Sequence, residues 1–138
     1  MNGAFFWQGR SALIVDDEED FARTLASRLE LRGMHVACAF CGGDGLEALG
    51  RALPDVLLLD MRMPGLSGVD VLRSLRKERQ IPGSADLPVI VVTGHCSEQD
   101  YNEANKLGIQ GYHAKPLDMD ALLATMQEAL CGKGASGD

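Results

Sequence analysis

Asp16, Asp17, Asp60, Thr93 and Lys115 each stand at the end of a short apolar run. Taken singly, each is weak as a functional signal: an Asp that closes a strand is often only a turn residue. Taken together they make a chemical set. Three carboxylates crowded into one place repel one another unless a cation neutralises them. Oxygen-only ligands favour a hard ion such as Mg²⁺, with Mn²⁺ as the alternative. Three carboxylates, one divalent ion and the Lys115 ammonium carry no net charge, so such a site can receive a phosphoryl group. Asp60 is the natural nucleophile, because a carboxylate can form an aspartyl phosphate. The metal and Lys115 would neutralise the phosphoryl oxygens, and the Thr93 hydroxyl could donate to another of them. Gly94 leaves room for a phosphodonor. Pro116, expected in cis, would aim Lys115 back into the site.

The set exists only if the chain brings these residues together. Val56-Leu57-Leu58-Leu59 is apolar without polar alternation and reads as a strand buried on both faces. Pro64 and Gly65 turn the chain after it. Ser11-Ala12-Leu13-Ile14-Val15 repeats the pattern before an acidic run, and Val89-Ile90-Val91-Val92 repeats it before Thr93. His35–Phe40 and Gly111–Ala114 complete five strands. Between them lie helices. Phe21, Leu25 and Leu29 fall at i, i+4, i+8 ahead of Gly33. Asp44 is expected to cap the next helix, through about residue 52, with Leu46, Leu49 and Leu53 inward. Ser67 with Asp70, and Ser97 with Asp100, read as capping boxes. The helix after Ser67 is expected to run to about Glu78, with 79–87 as a loop. Tyr101, Ala104 and Leu107 stripe the fourth helix, closed by Gly108. Leu122, Leu123, Met126 and Leu130 belong to the inner face of a fifth helix that opens at Leu117-Asp118. Five strands alternating with five helices imply an α/β fold: a doubly wound, five-stranded parallel sheet with helices on both faces, three layers in all. All strand ends of a parallel sheet share one edge, where ligands bind in open α/β sheets.

The 138 residues suit one domain, and 46% hydrophobic content is ordinary for a globular chain. The formal charge is −7, from 13 Lys plus Arg against 20 Asp plus Glu. That balance argues against direct nucleic-acid binding by this chain. No apolar run approaches a membrane span, and Ala4-Phe5-Phe6-Trp7 lacks the basic start of a signal peptide, so a cytoplasmic location without membrane attachment is expected. Cys38, Cys41, Cys96 and Cys131 do not form a disulfide framework; Cys38 reads as a small strand residue and Cys41 as the start of a loop. Residues 1–10 read as an N-terminal extension and 131–138 as a Gly-rich, flexible tail around a domain at 11–130.

Asp16-Asp17, Asp60 in D-M-R-M-P-G-L-S-G, Thr93-Gly94 and Lys115-Pro116, in that order, resemble the receiver domain of two-component response regulators. The resemblance covers about 11–130. It implies the flavodoxin-like fold of CheY-like proteins, with strand order 2-1-3-4-5. It also implies Mg²⁺-dependent transfer of a phosphoryl group from a sensor histidine kinase or a histidine phosphotransfer protein. Carried over, Asp60 is the phosphoacceptor. Asp17 holds the metal directly, Asp16 through water, and Arg62 through its backbone carbonyl. Thr93 and Tyr112 resemble the family's switch pair: the hydroxyl moves toward the phosphate and the ring turns inward. Adding a phosphoryl group gives Thr93 an acceptor in one state only, which can shift a two-state equilibrium. The same likeness makes the protein a phosphorelay switch rather than a turnover enzyme. Its fourth helix, fifth strand and fifth helix form the expected signalling face and a candidate homodimer face. The output partner or domain is unknown, since a complete single-domain regulator and a receiver from a longer protein read alike. Two alternatives compete. A HAD-like phosphohydrolase would carry a second acid two residues after its nucleophile, where this chain has Arg62. A phosphorylation-independent binding module would have lost a key residue, and none is missing.

Arg62 and His95 occupy the positions two residues after Asp60 and Thr93 that approach the phosphoryl group in the family and tune it. A cationic Arg62 can obstruct or misorient an attacking water. The aspartyl phosphate of the natural protein is therefore expected to outlast that of an Arg62→Asn variant. Decay of label in the two proteins measures this, and equal half-lives would reject it.

Overall fold

A strand that is apolar on both sides must be covered on both sides, and the chain folds so that each is. The computed structural model describes residues 3–77 and 81–135. In chain order the elements are α1 (Gly3–Trp7), β1 (Ser11–Val15), α2 (Glu19–Glu30), β2 (His35–Ala39), α3 (Gly42–Arg51), β3 (Val56–Leu59), α4 (Gly68–Lys77), a 3₁₀ turn at Ser84–Asp86, β4 (Val89–Thr93), α5 (Glu98–Leu107), β5 (Gly111–Ala114) and α6 (Met119–Ala135). The strands form one parallel sheet in the order β2-β1-β3-β4-β5. Among the described residues no helix is long and apolar enough to cross a membrane.

Alternate residues of each strand feed opposite cores. Ala12, Ile14, Leu58, Ile90 and Val92 pack with α2 and α6, through Leu25, Leu29, Leu122 and Met126. Leu13, Val15, Leu57, Leu59, Val89 and Val91 pack with α3, α4 and α5, through Leu49, Leu72, Leu75 and Ala104. β1, β3 and β4 are buried along nearly their whole length, while β5 at the edge is only half-buried.

Several local expectations need correction. Part of the expected extension packs on the domain. Phe6 and Trp7 are buried in the core shared with α2 and α6 and stack edge-to-face at 4.8 Å. Gly9 N–H donates to Gly33 O, and Arg10 Nε donates to Phe6 O at 2.7 Å while its guanidinium lies over the Phe6 ring. Cys41, not Asp44, caps α3: its Sγ accepts from Asp44 N–H at 3.4 Å, so the helix starts three residues before Gly45. Leu53 falls beyond α3 and is exposed, because the helix ends at Arg51. The final helix does not stop at Leu130 but continues to Ala135, and 136–138 lie outside the described residues. Helix α4 is described as far as Lys77; Glu78 and residues 79–80 of the expected loop lie outside.

The loop that follows is pinned by one side chain. Arg76, from α4, donates to Leu107 O and Gly108 O at the end of α5. It also donates to Ser84 O, Ala85 O and Leu87 O around the 3₁₀ turn. Burial pushes its guanidinium pKa down, although nearby Asp86 works the other way. An Arg76→Met variant keeps the apolar stem but removes the donor that these carbonyls share, leaving Ser84 O only the Leu87 N–H. It is expected to lose about 2–3 kcal/mol of stability, measured by urea unfolding.

Candidate functional site

The backbone delivers three of the site residues one step past the strand ends and holds them there. Asp16 N–H donates to Ala39 O of β2, Asp60 N–H to Val15 O of β1, and Lys115 N–H to Thr93 O of β4, each at 2.9–3.0 Å. The ladder of the sheet therefore extends through the reactive positions. Thr93 closes β4 and is fully buried. The turn after Asp60 is equally tight: Gly68 N–H donates to Met61 O, and a Cβ on Gly68 would lie 2.2 Å from Asp60 O. Only glycine fits there. Ser67 then caps α4 with Asp70 as the expected reciprocal box, Asp70 N–H to Ser67 Oγ and Ser67 N–H to Asp70 Oδ2. The Lys115–Pro116 peptide is cis, as expected.

Asp16, Asp17 and Asp60 offer carboxylate oxygens that all lie within 4.8 Å of one another. Asp16 is 2% and Asp60 4% exposed, whereas Asp17 faces solvent. The Lys115 Nζ lies 2.8 Å from Asp16 Oδ2, 2.5 Å from Glu18 Oε1 and 3.7 Å from Asp60 Oδ2. It also sits 4.3 Å from the Phe21 ring centroid. Burial raises the Asp16 pKa against the opposing hydrogen bonds from Lys115 and the Glu18 N–H. Burial works to lower that of Lys115, but its bonds to Asp16 and Glu18 outweigh it and leave the ammonium raised. The hydrogen bond from Lys115 lowers the Glu18 carboxyl. One ammonium is too little for four carboxylates, two of them buried. A second, divalent positive charge fits an all-oxygen set of this kind.

The remaining expected residues ring this cluster. The Thr93 Oγ accepts from His95 N–H at 3.1 Å, which leaves its proton free to donate. The His95 side chain is exposed. A Cβ on Gly94 would meet nothing nearer than Lys115 Cδ at 4.0 Å, so the approach to the site is open there. Arg62 N–H donates to Asp60 Oδ1 at 3.4 Å, but its guanidinium turns to Asp100 Oδ2 on α5, 3.0 Å away. Asp100 thus gives its carboxylate to Arg62 and forms only half of the expected capping box, accepting nothing from Ser97 while its N–H donates to Ser97 Oγ. Tyr112 packs inward against the α3–α5 core, edge-to-face with Tyr101 at 5.2 Å, and its hydroxyl is buried with no partner among the described residues. Beside Lys115 a groove of about 660 Å³ runs between α2 and the β5–α6 connection, lined by Phe21, Leu25, Pro116, Leu117 and Met119 among others.

Sequence reasoning did not assign Glu18, Phe21 or Asp100 to the site. Five acids in a row, Asp16 to Asp20, hide which of them reaches Lys115. Asp100 was legible only as a cap.

A family model for the response regulator receiver domain matches residues 12–127. The chain is 38% identical to Protein PilH of Pseudomonas aeruginosa, across 87% of this chain and 97% of that one. It is also 38% identical to the uncharacterized transcriptional regulatory protein YkoG of Bacillus subtilis, across 88% of this chain. It spans about half the length of YkoG (51%) and nearly all of PilH. Among solved structures, a CheY-like receiver domain protein from Methanospirillum hungatei superposes with a TM-score of 0.85 at 26% identity, over 94% of this chain and 99% of that one.

A buried hydroxyl without a partner costs stability that a hydrocarbon of the same shape does not. Tyr112→Phe is therefore expected to raise the thermal midpoint, by an amount equivalent to about 1 kcal/mol. Calorimetry reads it, and a lowered midpoint would mean that the hydroxyl has a partner in solution.

Proposed function

The chain belongs to the family of response regulator receiver domains, and on that premise we propose that Asp60 is the residue that takes the phosphoryl group. The observation that carries this is the contact between chain-distant groups: Asp60, buried at the sheet edge, lies within ion-pair distance of Lys115 and within 4.8 Å of Asp16 and Asp17. A carboxylate oxygen of Asp60 attacks the phosphorus of a phosphohistidine. The P–N bond breaks, its electron pair leaves with the imidazole, and an aspartyl phosphate forms. Lys115 neutralises one phosphoryl oxygen and the Thr93 hydroxyl donates to another. Gly94 leaves the approach open. Asp16, Asp17, Asp60 and the Arg62 carbonyl would hold Mg²⁺, or Mn²⁺, which supplies the remaining positive charge.

The donor is a sensor histidine kinase or a histidine phosphotransfer protein. The groove beside Lys115 offers its histidine-bearing element a seat. Phosphorylation then moves Thr93 toward the new anion, and Tyr112 on β5, three residues before Lys115, responds. The signal leaves through α5, β5 and α6, to an output partner, an output domain or a second copy of the chain. The protein acts as a switch, not as a turnover enzyme on an external substrate, and works in the cytoplasm.

Acetyl phosphate with Mg²⁺ tests the assignment by intact mass. The natural protein is expected to gain one phosphoryl group, Asp60→Asn to gain none, and chelation of the metal to stop the gain. Full labelling of Asp60→Asn would overturn it.

A further inference from the structure

Glu18 is placed where a helix normally takes its cap. It directly precedes α2 with extended backbone (φ −81°, ψ 91°), yet its side chain makes no capping bond. An N-cap side chain ordinarily accepts from the first-turn N–H groups, and giving that up has a cost. Here the carboxylate goes instead to the Lys115 ammonium, 97 residues away in sequence. The ammonium is held by Glu18 at 2.5 Å and Asp16 at 2.8 Å, with the Phe21 ring beside it. Asp60, at 3.7 Å, is beyond hydrogen-bonding distance. The lysine that must meet a phosphoryl group on Asp60 is therefore occupied elsewhere at rest.

We propose that Glu18 is a positioning residue that holds Lys115 off Asp60 in the resting protein and lets it go when a phosphoryl group arrives. This rests on the assignment of Asp60 as acceptor. The two resting partners are not equivalent. Asp16 is 2% exposed and cannot leave, whereas the Glu18 side chain is 63% exposed and can turn into water. Its backbone stays in place as it does so, because Glu18 N–H donates to Asp16 Oδ1 at 2.9 Å. The exchange is a competition between two anions for one cation. An exposed carboxylate loses it to a phosphoryl group bearing more charge and held in a drier site. Uptake of phosphate is then slowed by the need to break the Lys115–Glu18 contact.

The test compares uptake of label from acetyl phosphate at saturating Mg²⁺ in the natural protein, Glu18→Gln and Glu19→Gln. Glu19 is the matched control: it removes the same charge one residue on, but its side chain pairs with Arg23. Glu18→Gln is expected to label about two- to fivefold faster, the range of a surface ion pair, while Glu19→Gln keeps the natural rate. The ¹⁵N resonance of the Lys115 ammonium gives a second readout. It should differ between the natural protein and Glu18→Gln at rest, and coincide once beryllofluoride occupies the site. Equal rates for Glu18→Gln and the natural protein, an equal gain in Glu19→Gln, or a resonance difference that persists with beryllofluoride would each overturn the proposal. Failure of the natural protein to label, or labelling of Asp60→Asn, would instead strike at the acceptor assignment.

Discussion

Two carboxylates, those of Asp16 and Asp60, are held almost out of water within a few ångströms of each other, with a third at their side and the Lys115 ammonium in reach. Burying like charges is unfavourable, and removing or pairing them is the usual remedy. This chain keeps them and lets the shortfall of positive charge define the site. A divalent cation is what such a shortfall fits. Burial raises the Asp16 carboxyl, and the neighbouring Asp60 charge adds to the effect in a smaller way.

The fold makes that imbalance durable by rigid means. Parallel strands with apolar residues on both faces put their ends on one edge, and ladder hydrogen bonds continue through Asp16, Asp60 and Lys115. Gly68 lets the chain pass within contact of the Asp60 carbonyl, and Ser67 with Asp70 fixes the start of α4 immediately afterwards. On the far side, Arg76 fastens the end of α5 and the 3₁₀ turn to α4. The backbone around the acids has little freedom. The contacts that cross the site are made by side chains: Glu18 and Lys115 at its mouth, Arg62 and Asp100 from the loop after β3 to α5, and Tyr112 against Tyr101. A site built this way can register a change of charge without rearranging its sheet.

Much of this was legible before any coordinates. Strands of the type Val56–Leu59 and Val89–Val92 declare themselves because nothing but two covered faces suits them. The cap at Ser67 and the half-cap at Ser97 follow from residue type and spacing alone. What misled was chemistry with more than one use. Asp44 has the better capping side chain, but the thiol of Cys41 stands at the correct place for a helix that begins at Gly42. Ala4-Phe5-Phe6-Trp7 was weighed only as a signal peptide, yet Phe6 and Trp7 are core. Asp100 served as a capping acid on paper and as the partner of Arg62 in space.

By itself, the sequence determined the alternation of strands and helices, the single edge on which the strands end, and hence which acids, threonine and lysine would meet. Those follow from hydrophobic period and the handedness of crossovers, which are properties of local segments and of short connections. Tertiary structure alone decided which partner each charge takes. That choice depends on distances across elements far apart in the chain. It gave Lys115 to Glu18 and Asp16 rather than to Asp60, and Arg62 to α5 rather than to the acid two residues before it.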